Sequence, residues 1–217
     1  MTIQAIVNNA PQPTPSKTIH IIRHGEALHK YLCFMSIGEY TLITPSSIDR
    51  TYNLRDPPLT DKGFAQAEDL RIQLSTIWKI KPTAIVTSPM TRTIQTVCTL
   101  FPSKGSYAIP LYIWPVLREA HDANCNQGRS RAEMQALHAD LDFSACDKEW
   151  NYNPHRFEDA ADRAEAVRKE LMKLPGPHVV LVGHRGFIAY LVDTHRVKFR
   201  DCGVYCICRY HFLGLLS

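Results

Sequence analysis

Four short stretches carry residue types suited to a phosphoryl group: Arg23-His24-Gly25-Glu26, Ser88-Pro89-Met90-Thr91-Arg92, Leu117-Arg118-Glu119 and Gly183-His184-Arg185-Gly186. A phosphoryl group in transfer spreads negative charge over its equatorial oxygens, and planar guanidinium groups answer that charge with paired donors. Arg23 and Arg92 are the candidate donors. A neutral imidazole nitrogen can attack phosphorus and hold it as a phosphohistidine, dividing one hard displacement into two easier ones. A departing alkoxide then needs a proton from a carboxylic acid. Glu119 is the candidate, with Asp122 of Glu119-Ala120-His121-Asp122 as its rival.

Such residues act together only if the fold brings them to one place. Residues 18–22 (TIHII), 83–87 (TAIVT), 108–113 and 178–182 (HVVLV) read as short strands, three of them β-branched and apolar enough to be fully buried. Helical spacing runs from about Leu59 to Trp78, where Phe64, Ala67, Leu70, Leu74 and Ile77 recur every three or four residues behind a candidate N-cap, Thr60. Ser88-Pro89 reads as a cap residue and first-turn proline opening a helix to Phe101. Further helices are expected over 130–140, 158–173 and 185–194, and an edge or antiparallel strand over 203–212. Strands separated by helices predict an α/β fold: a three-layer α/β/α sandwich with a mostly parallel central sheet. Ligands of such sheets bind beyond the carboxyl ends of the strands, where the basic and acidic stretches fall.

The chain has 217 residues, 45% of them hydrophobic, and a formal charge of +4. That length fits one domain over residues 17–217, preceded by a flexible, proline-rich N-terminal arm over 1–16. The mild positive charge suits an anionic small molecule, and no Lys/Arg run or basic-aromatic stripe suggests nucleic acid. Seven cysteines form no CxxC pair. Cys202, Cys206 and Cys208 lack a second ligand pair at zinc spacing, so no metal site is expected. The first residues do not pattern as a signal peptide, and no apolar run is long enough to span a membrane. A cytoplasmic protein with reduced thiols is the expectation. Residues 31–57 and 141–157 resist regular assignment and carry aromatic and arginine side chains, among them Phe143, Trp150 and Tyr152, so they are expected to shape a substrate pocket.

The RHGE after the first strand, LTDKG at Leu59–Gly63 with Gln66, SPMTRTIQT at 88–96, LRE at 117–119 and VGH at 182–184 together resemble the histidine phosphatase superfamily, the phosphoglycerate mutase-like clan. The five motifs occur in the family's order across residues 18–193. The resemblance implies phosphorylation of His24, phosphate binding by Arg23, Arg92 and His184, and proton donation by Glu119, which then serves as base for water. It implies no cofactor and no metal; the expected partner is a phosphorylated small molecule, with no nucleic acid or membrane involved.

Three departures shape the remaining expectations. Where the family commonly has S-x-x-N after RHGE, this chain has Ala27-Leu28-His29-Lys30, which makes Gly25, His29 and Lys30 the substrate-binding candidates there. Arg185 stands after His184 where small residues are usual, and joins them. Arg129 and Arg131 follow the acidic segment, but the Trp-Asn pair and arginine-bearing insertion of the glycolytic mutases are not evident. Hydrolysis is therefore the favoured outcome; a phosphomutase, or a non-hydrolytic binding or scaffold protein on this fold, remains the alternative.

Overall fold

The computed structural model describes residues 17–28, 54–77, 82–102, 109–152, 157–192 and 208–211. His29, Lys30, the arm over 1–16 and most of the 31–57 segment lie outside the described residues, as do Cys33, Cys202 and Cys206. Among the described residues the order is β1 (Thr18–Arg23), α1 (Asp61–Ile77), β2 (Ala84–Thr87), α2 (Thr91–Leu100), β3 (Leu111–Ile113), α3 (Arg131–Leu137), α4 (Phe157–Lys173), β4 (His178–Gly183), α5 (Arg185–Leu191) and β5 (Cys208–His211). Two 3-10 turns, Pro115–Leu117 and Asn124–Asn126, lie between β3 and α3.

The sheet runs β3-β2-β4-β1-β5. The first four strands are parallel, and β5 closes the edge antiparallel to β1, with Thr18 opposite His211. Period-two alternation sorts the apolar side chains into two cores. Ile19, Ile21, Val179 and Leu181 face α4 and α5, meeting Ala160, Ala164, Val167, Leu171, Phe187 and Ile188. Ile22, Ile85, Val180 and Val182 face the other way, against Leu70 and Leu74 of α1 and Val97 and Leu100 of α2. Helices on both faces make the three-layer α/β/α sandwich expected of these strands.

Two local expectations are corrected. Phe64 keeps the helical spacing of α1 but is 38% exposed, so the buried stripe of that helix is Ala67, Leu70 and Leu74. α2 starts at Thr91, with Met90 at its N-cap and no side-chain cap bond from Met90. Ser88-Pro89 precedes the helix, and the Ser88 hydroxyl meets His184 instead of capping it. Thr60 does cap α1, its Oγ1 accepting from Gly63 N at 3.0 Å.

Lys17, 8% exposed, ties the start of β1 to the end of α4. Its Nζ donates to the carbonyls of Leu171 (3.2 Å), Met172 (3.0 Å) and Leu174, satisfying orphan acceptors at a helix C-terminus. Lys17→Met should leave those carbonyls unmet and lower stability by about 2 kcal/mol, as for other hydrogen bonds to charged groups. Urea unfolding of the two proteins measures the difference.

Candidate active site

Because β1, β2 and β4 are parallel neighbours, Arg23, Ser88 and Gly183-His184 leave the sheet at one edge. Arg23 pairs with Gly183 in register, and His24 N donates to the Gly183 carbonyl at 3.1 Å. The His24 and His184 rings lie edge to face with centroids 5.2 Å apart. Both are buried.

Arg92, in the first turn of α2, is 1% exposed and reaches between the two rings. Its Nε donates to His24 Nε2 at 3.3 Å and one terminal nitrogen reaches His184 Nδ1 at 3.2 Å. The Cys125 carbonyl and Asn126 Oδ1 accept from the guanidinium at 2.9 Å each. A guanidinium can only donate, so these contacts set both imidazole tautomers. His24 keeps its proton on Nδ1, which donates to the Gly25 carbonyl at 2.7 Å, and presents the Nε2 lone pair to the site. His184 accepts at Nδ1 and donates from Nε2 to Ser88 Oγ at 2.9 Å. Burial lowers the affinity of Arg92 for its proton, while the nearby negative groups, Asp56 foremost, raise it.

Glu119 is 7% exposed and sits at the N-terminus of α5. Oε1 accepts from Ala120 N (2.7 Å) and Phe187 N (2.8 Å), and Oε2 from Gly186 N (3.2 Å). A Cβ at 186 would stand 2.5 Å from Glu119 Oε1, so a side chain there would displace that carboxyl group. Arg163 of α4 anchors the turn that carries Glu119, donating to the carbonyls of Val116, Arg118 and Glu119. Its guanidinium also lies 4.7 Å from the centroid of the Phe187 ring. Asp122, by contrast, is exposed.

The turn after β1 is clasped by α1 and α2. Gly25 and Gly63 pass so closely that a Cβ on either would strike the other strand of chain, at 2.5 Å and 2.1 Å respectively. Gly25 N donates to Thr96 Oγ1 (3.2 Å), Glu26 N to Gln66 Oε1 (2.9 Å) and Leu59 N to Gln95 Oε1 (2.8 Å). Glu26 in turn accepts from Thr60 and from Lys62 at 3.1 Å each. Asp56, fully buried, accepts from Thr91 N (2.8 Å) and Thr91 Oγ1 (2.5 Å) and pairs with Arg129 Nε at 3.3 Å. Burial pushes its carboxyl above the usual carboxylate range, opposed by the Thr91 donors and by Arg92 and Arg129.

Of the residues expected at the site, Arg23, His24, Gly25, Arg92, Glu119 and His184 converge at the sheet edge; Arg185 opens α5 as an exposed residue. Phe143, expected to face substrate, is instead fully buried with Ile94, Ile113 and Met134. Trp150 packs against Gly128 and, edge to face, against Tyr152. Sequence reasoning gave no role to Asp56 or Asn126, whose partners are distant in the chain, and read Ser88 as a helix cap where its hydroxyl instead meets His184. Among the described residues no cluster of three or more His, Cys, Asp or Glu side chains is placed to hold a metal, and no helix is long and apolar enough to cross a membrane.

The mostly parallel α/β sheet thus delivers two histidines and a buried arginine to one edge. Residues 19–199 match the model of the histidine phosphatase superfamily (branch 1), and the chain belongs to that superfamily. It is similar to a phosphoglycerate mutase-like protein of Arabidopsis thaliana, at 26% identity over 86% of this chain and 76% of that one. A Schizosaccharomyces pombe protein named "Probable phosphatase" is 28% identical over 60% of this chain and 53% of its own length. Among solved structures, Bacillus stearothermophilus YhfR superposes with a TM-score of 0.52 at 22% identity, covering 82% of this chain and 78% of that one.

Gly186→Ala should separate fold from site. Alanine favours the helix by up to ~1 kcal/mol, and the group it displaces is the far end of one side chain. Melting should therefore change little. If the Glu119 carboxyl takes part in turnover of a phosphate ester, that turnover should fall by about 10²-fold, the cost of a displacement near 1 Å at a reacting group, read by steady-state kinetics on an alkyl phosphate.

Proposed function

We propose that this chain hydrolyses a phosphomonoester of a small organic metabolite, without a metal, through a phosphohistidine at His24. The observation that carries the reading is the state of that ring. The Gly25 carbonyl takes Nδ1–H, and the Nε2 lone pair faces Arg92 and the second imidazole. Nucleophilic catalysis by imidazole requires that unprotonated nitrogen.

In the first step Nε2 attacks phosphorus as the ester P–O bond breaks. Glu119 gives its proton to the departing oxygen. Arg23, Arg92 and His184 hold the phosphoryl oxygens, with Gly25, His29, Lys30 and Arg185 as further substrate contacts. In the second step Glu119 takes a proton from water, the new hydroxide oxygen bonds to phosphorus and the P–N bond breaks. Phosphate leaves and His24 returns to its starting tautomer. The buried position of Glu119, against the exposed Asp122, supports Glu119 in the acid and base roles.

Hydrolysis is favoured over return of the phosphate to a second phosphorylated molecule by the engagement of the two arginines that follow the acidic segment. Arg129 pairs with Asp56, and Arg131 donates to the Cys146 carbonyl. A cytoplasmic location accords with Cys98, Cys125 and Cys146 being free thiols.

Two variants test the mechanism. His24→Ala should abolish turnover and covalent phosphate incorporation together. Glu119→Gln should lose ~10²–10⁴-fold on poor leaving groups yet still be phosphorylated by p-nitrophenyl phosphate, whose leaving group needs little protonation. Intact mass spectrometry after an acid-free quench reads the adduct. Wild-type labelling of His24→Ala would remove His24 as nucleophile.

A further inference from the structure

Asp56 is the one described non-glycine residue with positive φ, at 46°, and it is wholly buried. Aspartate is among the few residues that enter this left-handed region readily, because its short side chain can hydrogen-bond nearby. A buried carboxylate in a sparsely populated backbone conformation is costly unless its partners repay it.

Those partners point to one place. Both oxygens converge on Thr91, the first residue of α2, one accepting from its amide at 2.8 Å and the other from its hydroxyl at 2.5 Å. Met90, at the N-cap, makes no side-chain bond to the helix start. Asp56 thus supplies from another segment the cap that α2 lacks locally. The next residue, Arg92, carries the guanidinium between the two imidazoles, and Asp56 is the largest opposing charge acting on it. Two residues beyond Pro57, Leu59 bridges Ala27 in the turn after His24. One short segment is therefore tied both to that turn and to the start of the arginine's helix.

We infer that Asp56 is a positioning residue: acting through Thr91, it fixes the first turn of α2 and so holds the Arg92 guanidinium where phosphate binds. Its kinetic test rests on the proposed phosphatase reading; its binding test does not.

Charge and geometry predict opposite signs. Asp56→Asn keeps a carbonyl oxygen for Thr91 N and a residue tolerant of positive φ, but removes one negative charge near the phosphate site. If that charge merely repelled phosphate, the variant would bind inorganic phosphate more tightly. If Asp56 positions Arg92, binding should weaken, because the second oxygen no longer accepts from the Thr91 hydroxyl. The expected result by calorimetry is inorganic phosphate binding weakened about tenfold or more in Asp56→Asn and in Thr91→Val, with Thr91→Ser within about twofold of wild type. In turnover of p-nitrophenyl phosphate, KM should rise and kcat fall in the same two variants. Wild-type or tighter phosphate binding in a folded Asp56→Asn or in Thr91→Val would overturn the inference, as would failure of Thr91→Ser to restore it. If Asp56→Asn does not fold, the two Thr91 variants decide alone. A wild-type protein that binds phosphate but turns over no ester would overturn the phosphatase reading while leaving this one testable by binding.

Discussion

A guanidinium buried between two imidazoles is the constraint on which the rest of this site depends. Removing an arginine from water costs several kcal/mol unless its donors and charge are met. Arg92 meets that cost with the Cys125 carbonyl, the Asn126 amide oxygen, both histidine rings and the field of Asp56. These partners come from four separate parts of the chain. The cation can be buried only if β1, β4, the 3-10 turn Asn124–Asn126 and the segment around Asp56 all arrive correctly. In return it dictates where the protons of both rings reside, which is a chemical property and not merely a structural one.

The motif SPMTRTIQT acquires a physical meaning from this arrangement. Thr91, Arg92, Gln95 and Thr96 lie three to four positions apart in pairs and so share one face of α2. Thr91 binds Asp56, Arg92 spans the histidines, Gln95 holds Leu59 and Thr96 holds Gly25. LTDKG answers from the other side: Thr60 caps α1, and Gly63 admits the Gly25-Glu26 backbone at a distance no side chain would allow. These motifs therefore act as a clasp for the turn that carries His24, with few of their residues aimed at a ligand.

Much of this was legible in the sequence, and for identifiable reasons. The strands are short apolar runs, and in a sheet buried on both faces such runs have few competing readings. Their parallel order then forces Arg23-His24, Ser88 and His184 to one edge. What escaped is whatever depends on contacts between segments without periodicity. Asp56 precedes two prolines in an irregular stretch, and Asn126 lies in a polar turn; neither announces a partner. Ser88 resembles a helix cap because a proline follows it, yet its hydroxyl is drawn to His184 and the helix begins later. Phe143 was expected to face substrate because irregular segments so often do, but its ring completes a core cluster under α3.

Arg92 sets opposite tautomers on the two imidazoles, and nitrogen-15 NMR of the rings reads them directly. In the unliganded protein near neutral pH, His24 should carry its proton on Nδ1, with Nε2 resonating as an unprotonated nitrogen. His184 should show the reverse. A proton on Nε2 of His24, or two rings of the same tautomer, would mean that Arg92 does not set them.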